Sequence, residues 1–214
     1  MENKHKRGHL TEHAQLSENT KVILSTEAYF RMIYHGYQYA NPSTEKSQWK
    51  EVMGWLSGSI EENKDGKELI HVTQAWPISH GDAVSVTIDD YGTVLASILE
   101  ELDKTNEKES ILGWYHTHPG YGLFMSQVDF DTQKSYQKLY SKAIALVLDQ
   151  TLLSSIHLGF KIFRLQQDLV TFERISYKLK DDYNRQLLPK LLNVFQEKIE
   201  SGVTIKEFDT KKGK

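Results

Sequence analysis

The chain has 214 residues, 26% of them charged, with 26 Lys and Arg against 29 Asp and Glu for a net charge of −3. A mean hydropathy of −0.53, with no apolar run near the ~20 residues a bilayer requires, argues against a membrane protein. Near-neutrality offers no electrostatic footprint for nucleic acid or anionic lipid, and the absence of cysteine excludes disulfides, a thiol nucleophile, Cys-ligated zinc and ordinary iron–sulfur clusters.

Residues 1–20 are polar and read as a flexible arm; their basic start lacks the apolar stretch of a secretory signal, so the expected location is cytoplasmic. Val22 to Ala40 begins with an apolar run, then Ser25 can cap a helix bearing Tyr29, Phe30, Ile33, Tyr34 and Tyr37 at helical spacing, which Pro42 closes. Val52 to Ser59 and Leu69 to Trp76 are predicted strands about a polar turn, and the alternation in Ala83 to Ile88 predicts a third. Tyr91 to Thr105 is a predicted helix, Ile111 to Tyr115 a short strand, and Asp129 to Tyr140 a helix opened by an acidic residue. Ala143–Leu148 and Ile156–Leu165 complete the predicted strands of an α/β domain over 21–166. Beyond it, 167–214 reads as an extension: a last strand over Val170–Tyr177, a helical stripe from Leu179 to Ile199 that Pro189 should kink, and a solvated tail.

The segment from Gly113 to Asp129 carries the chemistry. Side chains at i and i+2 share a strand face, so His116 and His118 can present two imidazoles to one point. Pro119 then turns the chain, and the loop can return Asp129 as a carboxylate ligand, giving the two-nitrogen, one-oxygen donor set of a catalytic zinc with a position left for water. The His pair alone is weak evidence: with nine histidines, about 0.3 such pairs arise by chance, and a strand-capping pair is the plain structural alternative. A strand, His-x-His-Pro, a glycine-containing loop and Ser126-x-x-Asp129 opening a helix is, however, an order that core packing does not require.

That segment closely resembles the JAMM motif of MPN-domain metallo-isopeptidases: His116-Thr117-His118-Pro119, then Ser126 and Asp129, with Glu51 upstream. The likeness extends to Gly113, Trp114 and Tyr115 before the motif, to Thr132 and Gln133 after it, and to Glu51, Val52, Gly54 and Gly58. It covers roughly Val22 to Leu165 and is closest to the branch holding the proteasome lid deubiquitinase and the signalosome deneddylase. Thr117 stands where Ser is commoner, and Leu123-Phe124 replace a Cys-Trp pair; neither change removes a ligand.

The resemblance implies an MPN-type α/β fold, a curved mixed β-sheet flanked by helices, with the zinc site at the sheet's edge and a helical C-terminal appendage. It implies one Zn²⁺ per chain on His116, His118 and Asp129, Glu51 as the proton carrier and Ser126 as the oxyanion donor. The implied reaction is hydrolysis of the bond between a ubiquitin or ubiquitin-like C-terminus and a lysine. Pro77 to Val86, around His80, matches the segment where such enzymes hold the modifier's tail as an added strand, with an ordinary hairpin as the alternative. Implied partners are modifier conjugates, a proteasome-like complex or an MPN dimer partner. The rival functions are a scaffold or dimerisation subunit with latent activity and a precursor-processing peptidase. A zinc deaminase needs a Pro-Cys-x-x-Cys pair that this chain lacks.

Overall fold

The computed structural model describes residues 10–11, 13–82, 91–104, 108–180 and 184–208. Among these the strands are β1 (Gln15–Leu24), β2 (Lys50–Glu62), β3 (Glu68–Asp82), β4 (Ser110–Thr117), β5 (Ile144–Leu148), β6 (Phe160–Leu165) and β7 (Phe172–Leu179). The helices are α1 (Thr26–Tyr39), α2 (Tyr91–Lys104), α3 (Gln127–Leu139) and α4 (Leu188–Glu200). Strand order is β1-β3-β2-β4-β5-β6-β7, and β7 pairs in parallel with β1, so the mixed sheet closes into a barrel.

Alternation along the strands sorts side chains into two cores. In β5, Ile144, Leu146 and Leu148 join one cluster with α1 and α4, while Ala145 and Val147 join another with α2 and the buried side of α3. α1 starts where Ser25 Oγ accepts the Ala28 N–H at 3.0 Å, a cap contributing about 1 kcal/mol. Its Tyr29, Met32 and Ile33 are fully buried against the sheet.

Several expectations need correction. Gln15–Thr20, expected within a flexible arm, already belong to β1: Gln15 and Leu16 pair with β7 and Thr20 with β3, despite mostly exposed side chains. The third predicted strand, Ala83 to Ile88, lies outside the described residues, while β3 runs past Pro77 to Asp82. Proline is accommodated there because the β2–β3 register shifts between Met53 and Gly54, opposite Pro77. The strand predicted from Ile156 begins at Phe160, after a 3₁₀ turn at Gln150–Leu152.

The strand and helix expected after residue 166 are present as β7 and α4, and both pack on the domain. β7 closes the barrel, and α4 lays Leu191, Leu192, Phe195 and Ile199 on the first core. Phe195 meets Phe30 and Tyr34 of α1 at ring separations of 6.5 and 4.9 Å. Pro189 does not kink the helix: it sits in the first turn, where an N–H has no intrahelical acceptor to lose.

A bulge in the β2–β4 pairing, between Leu56 and Ser57, re-aims the end of β4. Leu112 faces the first core, yet Trp114, two residues on, faces the second. Gly113 makes this possible at φ 154°, where an added Cβ would fall 2.0 Å from the Ile144 carbonyl oxygen. After the bulge, the end of β4 presents its chemistry to the face that carries α3.

Candidate metal centre

His116 is the next-to-last residue of β4, flanked by β2 and β5. His118 follows directly after the strand, its N–H donating to the Leu148 carbonyl at 2.8 Å. The centre therefore lies at a strand end inside the closed sheet, not at an outer edge. The His116 ring stacks on Trp114 with centroids 4.5 Å apart, and Trp114 stacks in turn on Tyr136. The Trp114 indole N–H donates to Gln133 Oε1 at 2.8 Å, and the Gln133 amide donates to the Ala143 carbonyl at 2.8 Å. A buried glutamine of α3 thus fixes the plane against which the first imidazole rests, a role that only the distant Ala143 contact reveals. Thr117 between the histidines accepts the Val52 N–H on its hydroxyl at 2.9 Å, locking β4 to β2 beside the pair.

Asp129 reaches the same point from the first turn of α3. Its Oδ1 lies 3.3 Å from His116 Nε2 and its Oδ2 3.4 Å from His118 Nε2, and the two Nε2 atoms are 3.1 Å apart. All three side chains are buried, and their donor atoms lie within 4.8 Å of one another. Burial alone would raise the Asp129 carboxyl, but the two imidazoles outweigh it and hold the group well below the usual carboxylate range. Nitrogen and carboxylate lone pairs converging this closely repel unless a proton or cation lies among them. Two imidazoles and one carboxylate are the donors Zn²⁺ takes when an open position is kept, so the residues fit that ion.

Ser126 caps α3: its Oγ accepts the Asp129 N–H at 3.3 Å, while Asp129 Oδ2 accepts the Ser126 N–H at 2.6 Å. Glu51, buried near the start of β2, is placed by register. Met53 opposes His116, so the same ladder carried on by two residues sets Glu51 across from His118, on the face of the two histidines. Of the five residues that the motif marks, His116, His118 and Asp129 converge directly, Ser126 adjoins them through its capping box, and Glu51 shares their face.

Among the described residues, no other histidine belongs to this cluster. His71 and His80 are within β3, and the His157 ring accepts the Gly159 N–H. His80 Nδ1 bonds Glu207 Oε2 at 2.8 Å, and the ring stacks on Tyr39. Glu207 also bonds His35 Nε2 at 2.9 Å, and His35 Nδ1 meets the Tyr115 hydroxyl at 2.9 Å, tying the C-terminal segment to α1, β3 and β4.

The family pattern described as JAB, JAB1/Mov34/MPN/PAD-1 ubiquitin protease, matches residues 17–142. The chain belongs to this family. Its mixed sheet and helices are those of an MPN domain. It is 32% identical over 130 residues to "Ubiquitin carboxyl-terminal hydrolase RPN11" of Saccharomyces cerevisiae, covering 60% of this chain and 38% of that protein. It is 31% identical over 136 residues to "26S proteasome non-ATPase regulatory subunit 14" of Caenorhabditis elegans, 63% of this chain and 39% of that protein. The counterpart in Dictyostelium discoideum is 36% identical over 100 residues, 46% of this chain and 31% of that protein. The matched region therefore spans less than two fifths of the length of these relatives. Among the described residues, no helix of this MPN protein is long and apolar enough to cross a membrane.

Proposed function

We propose that this chain is a zinc-dependent isopeptidase of deubiquitinase type, hydrolysing the amide between the C-terminus of ubiquitin or a ubiquitin-like modifier and a lysine. The convergence of His116, His118 and Asp129 at the end of β4, on the face that Glu51 shares, carries the reading. A bound zinc ion would supply Lewis-acid polarisation and a water acidified toward neutrality.

This chain's residues supply the rest. Glu51 takes the proton from the attacking water and delivers it to the lysine nitrogen, because an amine cannot leave as an anion; one such acid/base contributes ~10²–10⁴-fold. Ser126 donates its O–H to the oxyanion of the tetrahedral intermediate. A hydroxyl has one hydrogen and two lone pairs. Capping α3 uses a lone pair of Ser126 and leaves the hydrogen for the oxyanion. The names of the relatives, a ubiquitin hydrolase and a 26S proteasome subunit, support modifier conjugates as substrates and a proteasome-like assembly as partner.

The test is incubation with isopeptide-linked and linear conjugates of several modifiers, with and without a chelator. Chelator-sensitive cleavage of an isopeptide-linked conjugate is expected. Inactivity on every conjugate, with zinc supplied and candidate lid-type partners added, would favour a scaffold role.

A further inference from the structure

The loop that joins His118 to Ser126 rests on a buried carboxylate that the proposed chemistry does not use. Asp149 follows the last residue of β5 and is only 1% exposed. Its Oδ1 accepts the Gly120 N–H at 3.1 Å and its Oδ2 the Gly122 N–H at 2.9 Å. On its other side Oδ1 accepts the Thr151 N–H at 2.9 Å and the Thr151 hydroxyl at 2.6 Å. All of these donors are neutral, and two of them belong to a loop far away in sequence.

The glycines make the arrangement possible. Gly120 has φ 77° and Gly122 φ 93°, conformations that turn both N–H groups to the same side at little cost only without a Cβ. A buried carboxylate is expensive unless its lone pairs are filled, so releasing the loop would leave Asp149 short of donors. The same short stretch also holds the ligand: His118 N–H donates to the carbonyl of Leu148, and Tyr121 N–H closes a turn on the His118 carbonyl at 3.0 Å. Phe124, near the end of the loop, has its ring centroid 4.9 Å from that of His118. Leu148 and Asp149 thus grip the chain at His118 and just after it, extending the β4–β5 ladder past its end.

We propose that Asp149 is a positioning residue for the metal centre, fixing the 119–125 loop so that His118 and Ser126 are held toward Asp129. The inference rests on the zinc reading above and assigns metal affinity to a side chain that touches no ligand. Outer groups that orient ligands typically contribute 10- to 100-fold in metal affinity.

The test uses the full chain, zinc alone as probe, and three variants. Asp149→Ser retains an N-cap acceptor for Thr151 but is too short to reach both glycines. Asp149→Asn keeps the size and sets an amide donor against a glycine N–H. Thr151→Val removes one donor and leaves both loop bonds. Zinc affinity by competition with a chromogenic chelator should fall at least ~10-fold in both Asp149 variants and stay at the wild-type value in Thr151→Val. Amide exchange should find the Gly120 and Gly122 N–H groups protected in the wild type and released in the Asp149 variants. Released glycine amides with unchanged zinc affinity would overturn the inference and leave the zinc reading intact. Unprotected glycine amides in the wild type would overturn it even if neither Asp149 variant folds. A wild type that takes up no zinc would overturn the reading beneath as well.

Discussion

Ser126 and Asp129 hold each other reciprocally: the Ser126 N–H donates to Asp129 Oδ2 at 2.6 Å, and the Asp129 N–H donates to Ser126 Oγ at 3.3 Å. The box that starts α3 thus sets a buried carboxylate and a hydroxyl side by side. Ser126→Ala should act on both levels. Losing the cap costs about 0.5–2 kcal/mol of stability, and losing one oxyanion donor lowers kcat by ~10²–10³ with substrate affinity little changed. Thermal melting and single-turnover cleavage on one sample separate the two. A destabilised variant with full activity per molecule would confine Ser126 to capping.

Metal content tests the convergence at the end of β4. The purified wild type is expected to bind one zinc per chain, and His116→Ala, His118→Ala and Asp129→Asn are expected to lose it. Elemental analysis after dialysis reads this directly. Stoichiometric zinc in the double histidine variant would place the ion elsewhere.

Gly113→Ala should damage the site from outside. The added Cβ would meet the Ile144 carbonyl oxygen at 2.0 Å, at a φ of 154°. Backbone strain of this kind costs ~1–3 kcal/mol, and the β4–β5 ladder must open to relieve it. A lower denaturant midpoint together with weaker zinc binding is expected. A midpoint matching the wild type would show that β4 does not need the bulge.

Parts of this design are readable in sequence because their causes are local. Helical spacing revealed α1 and α2 almost to the residue, and the two-residue strand period put His116 and His118 on one face. What escaped depends on distant partners. Gln15–Thr20 carry no apolar alternation, and their strand state comes from distant partners, β7 at Gln15 and Leu16 and β3 at Thr20. Pro189 breaks a helix in its interior but not in its first turn, and only the packing of α4 on α1 shows where that helix begins. The Trp114–Gln133 bond and the Asp149 clamp join side chains to elements that no local pattern links.

Acid should weaken the fold through the C-terminal segment. Burial holds His35 below its ordinary value of 6.5, although the neighbouring Glu207 opposes it. Burial would raise Glu207, but His35 and His80 outweigh it and hold the carboxyl below its ordinary 4.5. Both folded-state values are depressed, so in each case the unfolded chain binds protons first. The His35 contribution fades as pH falls below about 6.5, and that of Glu207 as pH falls below about 4.5 and through its lower folded value. Denaturant midpoints should therefore drop from neutral pH into this range. The gap between wild type and Glu207→Gln should shrink as the carboxyl is protonated, and a gap independent of pH would contradict the assignment.

The most direct measurement is single-turnover cleavage of an isopeptide-linked modifier conjugate by zinc-loaded wild type beside zinc-loaded Glu51→Gln. The substituted amide preserves shape and hydrogen bonding but cannot take the proton. The account predicts equal zinc content, equal conjugate binding and a loss of turnover of at least ~10²-fold. Cleavage at the wild-type rate by Glu51→Gln, or none by the wild type with zinc bound, would contradict it.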